Sequence, residues 1–202
     1  MAVSSNGTIY IPVARKIMIF NQNGESLGEI NLESAIIHSI TIGAQDVLYA
    51  MTSDGIVRFD ANGTVDLTIT NDALEEASGE SPGTGLIAVD RQGNIYFSGS
   101  FDPVILKFSP NGEYLSQFGG RASGDFAPGE FDSLRQIVFD SYGRIYVIDF
   151  FDVQVFDSNF NYLDRIEGQF LGAGFDSQNN LYAITNLSDN VVKYEIQKPD
   201  GQ

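Results

Sequence analysis

A fivefold internal repeat limits what this chain can fold into more than any other feature of its sequence. Each unit has a short apolar strand, a polar turn and a second strand that carries a tyrosine, as in "IAVDRQGNIYF" (87–97) and "IVFDSYGRIYV" (137–147). The repeated tyrosines are Tyr10, Tyr49, Tyr96, Tyr146 and Tyr182. Their spacings of 39, 47, 50 and 36 residues are typical of proteins that repeat one supersecondary unit.

The tyrosine strand of each unit is followed by a third apolar strand, which ends in an aromatic residue. These aromatic residues are Phe20, Phe59, Phe108, Phe156 and Tyr194. Turn signals such as "DANG" (60–63) and "SPNG" (109–112) then lead into a fourth strand in the first four units, and the fifth unit reaches "EIQKPDGQ" without one. Because Asn-Gly tolerates positive φ angles, we predict two-residue hairpin turns at these positions.

Four short strands in a meander, repeated five times, predict an all-β protein with the β-propeller fold, in which each unit is one four-stranded antiparallel blade. A β-sandwich would also have short alternating strands, but it would not repeat the same turn and aromatic positions five times. The repeat predicts about five blades, the last of them incomplete. A five-bladed ring, a fragment of a six-bladed ring and an open arc completed by another chain are all compatible with this pattern. The segment "NDALEEASGE" (71–80) predicts a single helical turn.

We predict one propeller domain that covers residues 1–202. Its predicted blades are residues 1–33, 34–82, 83–131, 132–170 and 171–202. The Gly-rich stretch "FGGRASGDFAPGEF" (118–131) falls between two blades, and strand patterns continue on both sides of it. We therefore interpret it as a connection between blades rather than a domain linker or a phosphate-binding loop, which would lead into a helix. Phe118 and Phe131 are predicted to anchor its ends in the core.

The charge of the chain argues against several classes of partner. With 27 acidic and 11 basic residues its net charge is −16, whereas nucleic-acid binding depends on Lys and Arg that neutralise phosphates. The same charge disfavours anionic membrane surfaces, and no apolar run is long enough for membrane insertion.

The composition also bears on compartment. Cysteine is absent from the sequence, which excludes disulfides and thiolate metal sites. The acidic, cysteine-free composition predicts an extracellular, cell-surface or periplasmic bacterial protein. The first residues, "MAVSSNGTIYIPV", lack the pattern of a signal peptide.

The repeat resembles the NHL family of β-propellers. The family pattern has an apolar strand ending in Asp, then Gly-Asn-Ile-Tyr, a polar loop, a strand ending in Phe and a turn with Asp and Gly, and residues 85–120 match it closely. The family's connection between blades is matched at Phe118, Gly119, Gly129 and Phe131. The resemblance covers essentially the whole chain and is strongest in the third and fourth units. The family often has Asp after the second strand, and only Asp149 matches here, so the resemblance implies the fold and no particular ligand.

We expect a binding face where loops converge. In a propeller the loops between the second and third strands lie on one side with the connections between blades, and the tight turns lie on the other. The candidate residues on the first side are Arg15, Phe101, Asp102, Arg121, Asp125, Phe126, Phe150, Phe151 and Asp152.

Among these loops, "DFFD" (149–152) admits three interpretations. It could form a patch that contacts a protein, hold Ca²⁺ between Asp149 and Asp152, or be a turn in which one Asp bonds its own backbone. Calcium takes about six to eight oxygen ligands, and the sequence has no D-x-D-x-D-G calcium loop. We therefore predict no cofactor, with Ca²⁺ at Asp149 and Asp152 as the alternative.

The sequence lacks a recognisable catalytic constellation. His38 is the only histidine, and it lies in the strand-like run "AIIHSITI". No G-x-S-x-G nucleophile motif and no Walker motif occurs. The positions predicted to face a central channel are apolar, namely Val3, Ile42, Val89, Val138 and Phe175. The repeated aromatic residues could form a sugar-stacking array, but one slot that recurs in every blade is more typical of a core.

These observations predict a non-enzymatic binding or scaffold propeller. It would hold a protein partner through its loop face or its open edge, and it could associate with itself through the incomplete last blade. Two alternatives are a Ca²⁺-dependent hydrolase of the lactonase type and an extracellular carbohydrate-binding or adhesin module.

Overall fold

The chain forms 21 short β-strands, one α-helix and one 3-10 helix within the residues that the computed structural model describes, which are 1–81, 83–124, 126–186 and 190–198. Strands form where β-branched and aromatic residues cluster, and none exceeds six residues. Consecutive strands pair side by side into small sheets, so the protein is an all-β propeller of antiparallel blades. Contacts divide the chain into two compact units, residues 1–101 with 105–117 and residues 102–104 with 118–202.

The first unit holds three four-stranded blades, each with its strands in sequence order, except that Phe118 at the end of the third blade belongs to the second unit. The first blade consists of β1 (Ala2–Val3), β2 (Ile9–Val13), β3 (Lys16–Phe20) and β4 (Ser26–Asn31). The second consists of β5 (Ile37–Ile42), β6 (Leu48–Thr52), β7 (Gly55–Phe59) and β8 (Val65–Thr70). The third consists of β9 (Gly85–Val89), β10 (Ile95–Gly99), β11 (Ile105–Phe108) and β12 (Tyr114–Phe118).

The second unit holds two blades and a two-stranded parallel pair that precedes them. The pair is β13 (Gly120–Arg121) with β14 (Glu130–Phe131). The fourth blade consists of β15 (Leu134–Phe139), β16 (Ile145–Asp149), β17 (Asp152–Phe156) and β18 (Tyr162–Glu167). The fifth consists of β19 (Phe170–Phe175), β20 (Asn180–Thr185) and β21 (Val191–Glu195). As the repeat predicted, the described part of the fifth blade has three strands.

Burial follows strand position within a blade. Every residue of β6, β16 and β17 is buried, whereas β4 is mostly exposed. Strands covered on both faces are mainly apolar, and outer strands keep polar residues toward water. Tyr49, Tyr96 and Tyr146 are only 3%, 1% and 2% exposed, so these three repeated tyrosines belong to the core.

Eight of the nine turns that follow the first or third strand of a blade in the described chain share one geometry. In each, a side-chain oxygen of the first residue accepts the backbone N–H of the residue four positions later, at 2.8–3.2 Å. The first residues are Ser4, Asn21, Asp60, Asp90, Ser109, Asp140, Asp157 and Asp176. The fourth position has a left-handed φ of 66–84° and is a glycine in six of the turns.

The prediction of two-residue turns is therefore wrong, because the loops are longer. Three residues separate the paired ends, and in "DANG" the backbone N–H of Asp60 bonds the carbonyl of Thr64. Only Gly63 takes a positive φ there, while Asn62 does not. This is the three-residue hairpin loop that ends on a left-handed residue.

Three turn carboxylates predict an acid-sensitive fold. Asp60, Asp157 and Asp176 accept hydrogen bonds from the residue four positions later, and these bonds lower each pKa below the ordinary value of 3.8. A carboxyl whose pKa is lower in the folded chain stabilises it fully above the ordinary value, and that contribution is lost as the pH falls below it. We expect the urea midpoint to fall between about pH 5 and about pH 2.5. A triple variant with Asn at these positions should lose less over the same range, and an equal loss in both proteins would contradict the assignment.

The helix of the second blade is longer than the single turn predicted. It runs over Asn71–Ser78 and is capped at both ends. The Thr70 hydroxyl accepts the N–H of Ala73, and Gly79 has a φ of 81° directly after the last turn. Leu74 is fully buried, so packing and caps together sustain two turns.

Candidate functional site

The loops between the second and third strands are held by backbone hydrogen bonds to the connections between blades. In the first blade, the N–H of Leu32 bonds the carbonyl of Arg15 at 2.8 Å. In the fourth blade, the N–H of Phe150 bonds the carbonyl of Ser133 at 3.2 Å, and the N–H of Phe170 bonds the carbonyl of Phe150 at 3.0 Å. The predicted grouping of loops and connections therefore holds within these blades, and the loops are fixed in place.

In the first unit, two predicted residues lie on this side. Arg15 lines a shallow groove of about 520 Å³ together with Val13 and Ile36, which are 43% and 45% exposed. Phe101 is 70% exposed at the end of the third blade's second strand.

In the second unit, Asp149 supports the "DFFD" loop from beneath. It is 4% exposed, and its carboxylate accepts the backbone N–H groups of Asp132 and Ser133 at 2.9 and 2.6 Å. Asp149 therefore bonds the connection ahead of β15 rather than the backbone of its own loop, which differs from the turn interpretation. Both oxygens of Asp149 already accept hydrogen bonds.

The two phenylalanines of the loop differ in exposure. Phe151 is 51% exposed, and Phe150 is half-buried with the Arg135 guanidinium 5.2 Å from its ring centre. The two rings meet edge to face with centroids 4.9 Å apart. Phe151 is therefore the apolar tip of the loop and Phe150 its support.

Asp152, which the sequence places on the exposed face, is only 4% exposed. Its carboxylate accepts a hydrogen bond from Nε of Arg165 at 2.7 Å. Burial raises the pKa of Asp152, Arg165 opposes that change, and the charge of Asp149 adds to it. Asp152 thus positions Arg165 from below the surface.

Arg165 in turn contacts the exposed aromatic ring of Phe126. Its guanidinium carbon lies 4.0 Å from the centre of the Phe126 ring, and Nη1 bonds Glu167 at 2.9 Å. Phe126 is 43% exposed and also packs near Tyr162, with centroids 6.1 Å apart. We define the blade-four patch as Phe126, Phe150, Phe151, Arg165 and Glu167.

The connection that carries Phe126 is itself fixed to the fourth blade. The side-chain amide of Gln154, 1% exposed, accepts the N–H of Gly129 at 2.9 Å and donates to the carbonyl of Glu130 at 2.8 Å. Arg121 is exposed within β13. Asp102 is half-buried, and the predicted residue Asp125 lies outside the described residues.

Sequence reasoning missed Arg165 and Gln154. A signal for Gln154 is present, because its position two residues before the aromatic end of the third strand holds Met18, Val57, Leu106 and Val192 in the other units. A polar residue in an otherwise apolar slot indicates a buried hydrogen-bonding role. Arg165 pairs opposite Gln154 across β17 and β18, a register that composition alone does not reveal.

Comparisons with known proteins support the fold alone. No family model matches the chain, and no curated protein matches it. Many solved structures do, and three of them illustrate the range. A protein of unknown function from Bacteroides thetaiotaomicron matches with a TM-score of 0.68 and 14% identity over 96% of this chain and 57% of that one. A gluconolactonase from Xanthomonas campestris matches with a TM-score of 0.66 and 15% identity over 94% of this chain and 72% of that one. A catalytically inactive virginiamycin B lyase from Staphylococcus aureus with quinupristin matches with a TM-score of 0.64 and 14% identity over 98% of this chain and 69% of that one. At these identities the chain shares their β-propeller fold, and activity does not follow from the fold.

Three further observations concern metal binding, the single histidine and membrane crossing. Among the described residues, no group of three or more His, Cys, Asp or Glu side chains is placed to hold a metal ion. His38 is exposed on β5. No helix in the described ranges is both long and apolar enough to cross a bilayer.

Proposed function

We propose that this protein is a non-enzymatic binding propeller that holds a protein partner on the blade-four patch. The observation that carries the proposal is the pair of exposed rings, Phe126 and Phe151, on loops that hydrogen bonds and the Asp152–Arg165 ion pair hold in place. Exposed aromatic side chains on a rigid support contribute large contact area at little entropic cost, and such side chains are enriched where proteins bind. Arg165 and Glu167 supply the polar rim around them.

We further propose that the blades are of the NHL type and that the protein acts outside the cytoplasm. The match of residues 85–120 to the NHL pattern supports the first statement. The acidic composition without cysteine supports the second.

A random peptide library displayed on phage tests the binding proposal. We expect selection on the wild-type protein to yield peptides that share a consensus sequence. The double variant Phe126→Ser and Phe151→Ser should weaken binding of the consensus peptide by about tenfold or more, because truncating a hot-spot residue of an interface costs about 2 kcal/mol or more. Isothermal titration calorimetry with the synthetic peptide measures the change.

Leu115→Ser is the matched control, since Leu115 is 50% exposed on the outer strand of the third blade. Its affinity for the peptide should stay within about twofold of the wild type. The proposal would be contradicted if the selected peptides shared no consensus sequence, or if the double variant bound the consensus peptide as tightly as the wild type.

A second candidate function is hydrolysis of a lactone, supported by the fold shared with the gluconolactonase. That candidate predicts turnover of gluconolactone above the spontaneous rate and a higher melting temperature in calcium than in chelator, because a ligand that binds the folded state stabilises it. The binding proposal predicts neither effect. Binding to a glycan array without peptide selection would favour the carbohydrate-binding alternative instead.

A further inference from the structure

A cleft of about 650 Å³ lies on the turn side of the first two blades, within the first unit. Tyr10 and Ile19 line it from the first blade, and Leu48 and Phe59 line it from the second. Leu48 and Phe59 belong to the buried core cluster of this unit, so they form an apolar floor. The volume is in the range that accommodates a small organic ligand.

The cleft lies where the second blade departs from the repeat at its first turn. Gly43 occupies the position equivalent to Asp90 of the third blade, whose carboxylate accepts a backbone hydrogen bond across its turn. The chain then passes through Gln45 and Asp46 with left-handed φ angles of 59° and 60°. Asp46 accepts the N–H of Ser5 at 2.7 Å, so this irregular turn is attached to the first blade beside the cleft.

The apolar residues around the cleft are more exposed than the repeat would predict. Tyr10 is only half-buried, although its equivalents Tyr49, Tyr96 and Tyr146 are at most 3% exposed. Leu27, on the rim, is 59% exposed. The aromatic slot that the second, third and fourth blades bury is therefore accessible here, as it is in the fifth blade, where Tyr182 is 38% exposed.

The rim of the cleft is acidic. Its carboxylates are Glu29, Asp46, Asp60 and Asp66. The one cation among the lining residues, Arg58, is already bonded to Asp66 through Nε at 2.8 Å and to the carbonyl of Pro110 at 2.8 Å. Glu29 is likewise paired, with Nζ of Lys16 at 2.8 Å. Asp46 and Asp60 therefore supply the excess negative charge above the apolar floor.

Hydrogen bonds keep this charge in place at neutral pH. Bonds from Lys16 lower the pKa of Glu29, and bonds from Ser5 lower the pKa of Asp46. The turn lowers the pKa of Asp60 in the same way. These carboxylates are ionised under ordinary conditions, so the field in the cleft favours a cation.

We propose that this cleft binds an organic cation, an alkylammonium or guanidinium group joined to an apolar body. The apolar part would pack on Tyr10 and the floor, and the cationic end would face the acidic rim. Because the same chemistry occurs in free amines and in Lys or Arg side chains, either source could supply the ligand. The site is separate from the blade-four patch, and its test does not depend on that patch.

Titration with benzylamine, with benzyl alcohol and with the acetylated, amidated peptides Phe-Lys-Phe and Phe-Gln-Phe tests the proposal. Two-dimensional NMR of the full chain should show saturable shifts around the cleft for the cationic member of at least one pair, with a Kd near about 1 mM for a ligand as small as benzylamine. The neutral member of each pair should bind at least about fivefold more weakly, and high salt should weaken binding of the cationic member. Binding of the amine alone identifies a small-molecule ligand, and binding of the peptide alone identifies a protein segment.

Three variants make the test specific. Glu29→Gln removes a rim charge and should weaken binding of the cationic probe by about threefold. Glu113→Gln makes the same change at an exposed position of the third blade and should leave that affinity unchanged. Ala61→Trp places a large ring at the mouth of the cleft and should abolish saturation, with an unchanged melting temperature as the check on folding. Equal binding of neutral and cationic probes, no saturation by either cation, or full binding by a folded Ala61→Trp variant would overturn the proposal.

Discussion

Replacing Phe131 by alanine is expected to remove about 3–5 kcal/mol from the free energy of unfolding. The ring is fully buried, and it meets Phe118 and Phe156 edge to face, with centroids 6.2 and 6.3 Å away. Gly119 approaches so closely that a Cβ on it would lie 2.7 Å from the Phe131 ring. Loss of the ring leaves a cavity among tightly packed neighbours. Urea unfolding followed by circular dichroism measures the effect.

Two variants separate this cavity from a general effect of substituting the segment. Phe131→Leu keeps most of the apolar volume and should lose less than half as much stability as the alanine variant. Phe126→Ala changes an exposed ring in the same connection and should cost less than about 1 kcal/mol. If Phe131→Ala also cost less than about 1 kcal/mol, the segment would not be anchored as the structure indicates.

The anchoring of Phe131 bears on function through the position of Phe126. The aromatic cluster holds both ends of the connection between the third and fourth blades, through Phe118 and Phe131. Gln154 bonds Gly129 and Glu130, directly before Phe131, and so fixes the backbone a few residues after Phe126. Phe118 takes part in the same cluster, stacked on Phe160 at 3.9 Å. The prediction that Phe118 and Phe131 anchor the segment is confirmed, and the connection is therefore a structural part of the blade that can also present a contact residue.

The blades could be predicted because their determinants are local and recur. Alternation of apolar residues sets each strand, and the Asp, Asn or Ser that opens a turn bonds a backbone group only four residues away. The turn length was predicted wrongly because Asn-Gly is compatible with two loop geometries, and only the pairing of Asp60 with Thr64 decides between them. Local sequence therefore located the turns but did not fix their register.

The candidate site was only partly predictable because it depends on contacts across strands and between distant segments. Phe151 could be found from its loop, and its exposure agrees with that interpretation. Asp152 is buried beside Arg165, its ion-pair partner thirteen positions away in the sequence. Tyr10 and Tyr182 show the same limit, since their repeat position predicts a core residue, whereas Tyr10 is half-buried and Tyr182 is 38% exposed.

Replacing Asp140 by alanine is expected to cost about 3 kcal/mol, because it removes the buried partner of an ion pair together with the acceptor of several hydrogen bonds. Asp140 is 1% exposed, and its carboxylate accepts the backbone N–H groups of Tyr142 and Arg144 at 2.9 Å and Nε of Arg144 at 2.6 Å. The hydroxyl of Tyr146, 2% exposed, lies 3.4 Å from the same carboxylate. Alanine would leave these part-buried donors without their acceptor.

The fourth blade contains its own control for this prediction, because Asp157 opens a turn of the same geometry on the surface. Asp157 accepts the N–H groups of Asn159 and Asn161 as Asp140 does, but water can replace its carboxylate. Asp157→Ala should therefore cost less than a third as much as Asp140→Ala, and Asp140→Asn, which keeps an acceptor oxygen, should fall between them. Urea midpoints of the three variants at pH 7 give the comparison. Equal losses for Asp140→Ala and Asp157→Ala would mean that the turn alone, and not the buried network beneath it, stabilises this blade.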